Sequence, residues 1–221
     1  MPRMSSTVFG LPLTLLLAAC TPSGMDMTTD TAPAAATGGK ASFRHNPASR
    51  QALRITMTIK DAPGPFRWMR PIAHYDVVNR ECLSPPKDNP GGRSAPTPTA
   101  PTDFVLKPAA DGVYTGVVYA DLMEDEDYVG NGVCRWALTS IVVQMKATGA
   151  DGETLFTPNI PQSKLAPGNT ETVYFNKAAY SRKDGSGFAN AGLSDRSRFG
   201  PSIHDADLFT VTFAIAKEGA P

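Results

Sequence analysis

The chain has 221 residues, in which 21 Lys and Arg balance 21 Asp and Glu, with three His and three Cys. That balance excludes the dense basic face of a nucleic-acid binder. Setting aside the N-terminal segments described next leaves a body of about 170 residues, the size of one domain with a real core.

Met1-Pro2-Arg3 gives one positive charge, and the chain then runs apolar from about Val8 to Ala19. This run is shorter than the roughly 20 residues a helix needs to cross a hydrocarbon core. A basic start, a short apolar stretch and small residues before a cut describe an export signal instead. The stretch closes on Leu16-Leu17-Ala18-Ala19-Cys20, which resembles the lipobox of bacterial lipoproteins. The resemblance implies a signal peptide over residues 1–19, cleavage before Cys20, and a lipid anchor (diacylglycerol and palmitate) on that thiol. In that family an Asp after the cysteine retains the protein at the inner membrane. Thr21 stands here, so the resemblance implies the outer membrane, facing the periplasm. The alternative is an ordinary secretory signal in which two alanines merely precede a cysteine.

Residues 20–50 are poor in branched and aromatic side chains and have no apolar period, so they cannot bury enough surface to order themselves. They predict a flexible tether with a reach on the order of 30 Å. A single domain is expected over residues 51–221. It opens with Ala52–Lys60, where Leu53, Ile55, Met57 and Ile59 alternate with Arg54, Thr56, Thr58 and Lys60, the period of a half-buried strand. Further strands are predicted over 66–70, 73–79, 103–107, 113–120, 133–147, 153–157 and 170–176. The last, 208–216, puts Phe209, Val211, Phe213 and Ile215 on one side. The segment from Cys134 to Thr148 is long for one strand, and its apolar face changes parity near Thr139-Ser140, which predicts a bulge there. Twenty Pro and nineteen Gly punctuate these runs, and no long amphipathic helix is visible. The expected fold is therefore all-β: an antiparallel β-sandwich, immunoglobulin-like in a loose sense, with long polar loops, or alternatively a small β-barrel.

With Cys20 lipidated, Cys82 and Cys134 form an even pair in an oxidising compartment, where a disulfide is expected. Separate thiols or a metal pair are the alternatives, and neither cysteine has a His or second Cys at ligand spacing. On the chain-entropy model the closed loop would stabilise the fold by about 4 kcal/mol.

Three loops interrupt the strands: a Pro/Gly-rich surface excursion over 84–101 expected to lack regular structure, an acidic loop over 121–131, and a basic stretch over 177–202 that carries Lys177, Arg182, Lys183, Arg196 and Arg198. In the acidic loop, Asp125, Asp127 and Gly130 sit at the first, third and sixth places of a calcium loop. Val129 and Trp136 then occupy the fifth and twelfth, where oxygen ligands are required, so no metal is expected. Glu124, Asp125, Glu126 and Asp127 beside Tyr128 fit a contact patch for a basic protein partner, and Arg182 and Lys183 a second patch of opposite sign. A solvated acidic turn is the plainer alternative.

Catalytic signals are sparse. Ser186 lacks the glycine spacing of a nucleophile elbow. His45 lies at the tether's end and His74 on a strand. His204 with Asp205 and Asp207 is the best acid–base cluster, at a place where such residues also serve turns. No catalytic residue and no cofactor is assigned.

The segment from Asp121 to Trp136, ending on Cys134 and Trp136, is similar to stretches of proteobacterial lipoproteins of the periplasmic immunity type, which pair with lipase toxins. That resemblance implies a membrane-anchored binding protein that blocks a secreted toxin or hydrolase. The alternatives are an accessory envelope lipoprotein without a dedicated partner and, behind it, a hydrolase using His204.

Overall fold

In the computed structural model the described residues are 43–85, 87–89, 92–94, 96–182 and 189–219, the stretches 87–89 and 92–94 by their backbone alone. The signal segment, Cys20, most of the tether and Lys183 lie outside them. The strands are β1 (Ala52–Lys60), β2 (Trp68–Val77), β3 (Lys87–Asn89), β4 (Gly92–Ser94), β5 (Thr99–Asp103), β6 (Lys107–Ala110) and β7 (Val113–Tyr119). They continue with β8 (Trp136–Lys146), β9 (Leu155–Phe156), β10 (Asn159–Pro161), β11 (Thr170–Asn176), β12 (Ala189–Asn190) and β13 (Leu208–Lys217). Among the described residues the only helical turns are short 3-10 turns.

The first sheet has the order β11-β13-β1-β7-β6 and the second β12-β9-β8-β2-β5, with β10 following β9 along the same edge of β8. Pairing is antiparallel apart from a two-residue parallel contact between β12 and β9. Neither sheet closes on itself, so the molecule is a sandwich and not a barrel. The period-two pattern explains why. In β1, Leu53, Ile55 and Met57 point into the core, and in β13 Phe209, Val211, Phe213 and Ile215 do the same. They pack with Tyr75, Ile141, Val143, Met145 and Phe156 of the second sheet. Burying each such side chain contributes about 1.5–3 kcal/mol. One hydrogen bond also crosses the core: the buried Tyr75 hydroxyl of β2 donates to the Tyr119 carbonyl of β7 at 2.8 Å.

β8 carries the expected bulge. His74 pairs with Ser140 and Tyr75 with Leu138, so Thr139 is the extra residue that moves the apolar face from one parity to the other. Its hydroxyl donates to the His74 carbonyl and to the Asp76 carboxylate.

Three sequence expectations are corrected. The excursion over 84–101 is not without regular structure: β3 and β4 pair within it and β5 begins at Thr99. Residues 66–70 and 73–79 are not separate strands, because β2 runs through Pro71. The Pro71 carbonyl accepts from Phe104 N, on the β5 side and just past the β5 pairing, so the missing N–H interrupts no ladder. The expected strand over 103–107 is instead the crossing between sheets, leaving β5 and β6 on either side. The disulfide is present between Cys82 and Cys134, with Cα atoms 5.1 Å apart. It joins the end of β2 to the approach to β8, neighbours in one sheet, and does not bridge the two sheets as in immunoglobulin domains.

Candidate functional site

The acidic loop leaves β7 at Asp121 and returns to β8 at Trp136, and nearly every carboxylate in it has a defined partner. Asp121 accepts from the backbone N–H groups of Arg50 and Gln51 at 2.9 and 3.0 Å, which fixes the entry to β1. Asp125 accepts from Trp136 N at 2.8 Å, fixing the entry to β8. Asp127 folds the tip: it accepts from Gly130 N at 2.6 Å, Gly132 N at 3.1 Å and Val129 N at 3.3 Å. Gly130 and Gly132 have φ of 81° and 98°, a region that favours glycine, and their amides turn inward to that carboxylate. Desolvation pushes the Asp127 carboxyl up, but the N–H groups of Gly132, Gly130, Val129 and Asn131 outweigh it and hold it below the usual range.

Glu124 and Glu126 find their partner far away in sequence. Arg44 places Nε 3.3 Å from Glu124 and Nη2 2.6 Å from Glu126. The surrounding backbone pairs as well. Glu124 N donates to the Arg44 carbonyl at 2.9 Å, Asn46 N donates to the Leu122 carbonyl at 2.7 Å, and His45 sits opposite Met123. Phe43 lies edge-on to Trp136 at 4.9 Å and to Tyr128 at 5.1 Å between ring centroids. The Tyr128 hydroxyl donates to the Glu124 carbonyl, and its burial raises the phenol pKa. The Trp136 side chain is held by edge-on contacts with the rings of Phe43 and Tyr128. The body therefore takes up the chain from Phe43, earlier than the residue 51 boundary expected from composition.

The base of the loop is equally fixed. Cys82 and Cys134 are buried against Val77, Leu83, Tyr128 and Trp136. Asn79 donates to the Val133 carbonyl at 2.9 Å and accepts from Arg135 N at 2.6 Å. On this frame three valines face solvent: Val78 is 53 % exposed, Val129 46 % and Val133 52 %.

Glu124, Asp125, Glu126, Asp127 and Tyr128 are thus brought together, but Arg182 is not with them. Its carbonyl accepts from Thr154 N at 2.9 Å, next to Glu153, which holds the turn at Thr148 and Gly149 beyond the far end of β8. β8 is 11 residues long, about 33 Å at the usual rise, so the two charged loops sit at opposite ends of that strand. Arg182 lines a cleft of about 420 Å³ with Glu153, Asn176, Asn190 and Phe199.

In the His204 cluster, Asp205 pairs with Arg196 at 2.7 Å and Asp207 accepts from His204 N at 2.9 Å. Among the described residues no group of three or more His, Cys, Asp or Glu could hold a metal. Phe43, Arg44, Asn79 and the exposed Val78, Val129 and Val133 are the site residues that sequence reasoning missed. The available signal was Phe43 itself, the lone Phe, Tyr or Trp between Cys20 and Gln51.

Comparison with protein-family models, curated proteins and solved structures finds no match for this chain.

Proposed function

We propose that this chain is an exported lipoprotein, lipidated on Cys20 and held at the outer membrane, whose sandwich binds and blocks a secreted toxin or hydrolase in the periplasm, as an immunity or inhibitor protein does. The lipobox resemblance at residues 16–20 supports the anchor. The observation that carries the binding role is the preformed loop end. Asp125, Asp127, Asn79 and the disulfide fix the backbone while Val78, Val129 and Val133 stand out to solvent. A loop already ordered before contact loses little entropy on docking, and exposed apolar groups within a polar rim are what a protein interface buries.

The test is capture of the partner from envelope extract by the native protein and by a Val129→Asp/Val133→Asp variant. Both substitutions sit on exposed positions, so the fold is retained. The variant is expected to lose the partner, and undiminished recovery would remove the loop end from the account.

A further inference from the structure

We infer that the cleft at Arg182 is a binding site for an N-acetylated amino sugar. It lies beyond the end of β8 that is remote from the acidic loop, and it is independent of the role assigned to that loop.

The cleft holds about 420 Å³, within the range of ~300–1,000 Å³ that small-molecule sites occupy. It is preformed, because a strap over residues 189–193 ties the two sheets together there. At one end of the strap β12 pairs with β9 of the second sheet, and Thr157 N donates to the Asn190 carbonyl at 2.8 Å. At the other end Leu193 and Tyr174 of β11 exchange backbone hydrogen bonds at 2.8 and 3.0 Å. Gly192, between them, has a φ of 69°. A Cβ there would lie 2.5 Å from Val173 Cγ1 and 2.7 Å from Phe175 Cε1, so only glycine lets the strap lie this close. A site built on fixed backbone loses little entropy when it binds.

The strap also sets the donors. Asn176 follows Tyr174 by two residues and Asn190 precedes Leu193 by three, so the bridge between Tyr174 and Leu193 brings both asparagines to the cleft. Each turns its amide oxygen to the backbone: Asn176 Oδ1 accepts from Ala178 N at 2.8 Å and Asn190 Oδ1 from Gly192 N at 3.0 Å. The NH2 group opposite each oxygen is then a donor held at a fixed place. Acceptors are scarcer. Glu153 lines the cleft but is 7 % exposed, and its carboxylate accepts from Thr148 N at 2.9 Å, Gly149 N at 3.1 Å and the Thr148 hydroxyl at 2.7 Å. With Arg182 the lining carries both signs of charge, which does not select a free ion. Ala179, Ala189, Ala191 and Phe199 supply the apolar part of the wall. Paired donors beside a methyl-lined wall match an acetamido group, whose carbonyl accepts and whose methyl is apolar, on a sugar whose C–H face suits the Phe199 ring. A sugar with hydroxyls alone brings as many donors as acceptors and satisfies this set less well.

The test titrates the full chain with diacetylchitobiose and with cellobiose, the same disaccharide skeleton without acetamido groups. Nuclear magnetic resonance follows the Asn176 and Asn190 NH2 groups and the Gly192 amide. Saturable shifts are expected with diacetylchitobiose at about tenfold lower concentration than with cellobiose, the worth of one or two neutral hydrogen bonds. An Asn176→Asp/Asn190→Asp chain keeps the oxygens that accept from Ala178 N and Gly192 N and loses both NH2 donors. It should retain the disulfide and its near-ultraviolet circular dichroism, and bind diacetylchitobiose about tenfold more weakly. The Val129→Asp/Val133→Asp chain should bind the sugar as the natural chain does, so this account and that of the acidic end fail separately. Absence of saturable shifts with diacetylchitobiose, equal response to the two disaccharides, indifference to the aspartate substitutions, or tighter binding of N-acetylalanine amide, an acetamide without a sugar ring, overturns the proposal. Should the aspartate chain not fold, the comparison of the two disaccharides on the natural chain decides it.

Discussion

Five carboxylates fall between Asp121 and Asp127, and to a reader of the sequence they form one negative patch. In the fold they divide into backbone fasteners (Asp121, Asp125 and Asp127) and partners of Arg44 (Glu124 and Glu126). For Asp121, Glu124 and Glu126 the division was not legible because their partners are remote: Arg44 is 82 positions from Glu126, and Gln51 is 70 from Asp121. Short-range motif matching sees the charges but not what they hold. Asp127 gives a pH signature. Its folded pKa is depressed, so its contribution to the loop is fully present above the unfolded value of about 3.9 and is lost as the pH falls through the lower folded value. The Gly130 and Gly132 amide resonances should follow a single titration with a midpoint below that of an ordinary aspartate. Asp127→Asn should abolish that response and speed exchange of both amides. A midpoint at or above the ordinary range would show that the carboxylate does not hold the tip.

Among the elements, β1, β13 and the bulge in β8 were readable because each rests on local parity. A period-two run has one buried face, and a parity change within it requires one extra residue, here Thr139. β2 was misread because proline removes a ladder donor, and only the sheet order reveals that Pro71 faces a position past the neighbouring strand's end. The cysteine pairing followed from counting, whereas its place followed from topology: it staples the ends of β2 and β8 beside the acidic loop. A Cys82→Ala/Cys134→Ala double variant should therefore lose about 4 kcal/mol of stability in denaturant titration. Hydrogen exchange should show the first loss of protection over residues 126–135, while β1 and β13 remain protected up to the global transition. Uniform loss across both sheets would mean that the bridge supports the core as a whole and not this one end.

At the scale of the molecule, the sandwich separates the two charged loops that the sequence presents as candidate contact patches. The acidic end is braced by a disulfide and by side chains bonded to backbone, carries the exposed valines, and receives the chain from Phe43. The end at Arg182 borders a cleft of its own. One partner face would have to span about 33 Å to engage both, so binding at the acidic end is the economical arrangement. Site-specific photo-crosslinking in intact cells tests this most directly, with the photoreactive residue placed at Val129, at Val133 or at Arg182. A discrete protein adduct is predicted from positions 129 and 133 and none from 182. Adducts only from 182, or none from either valine, would contradict it.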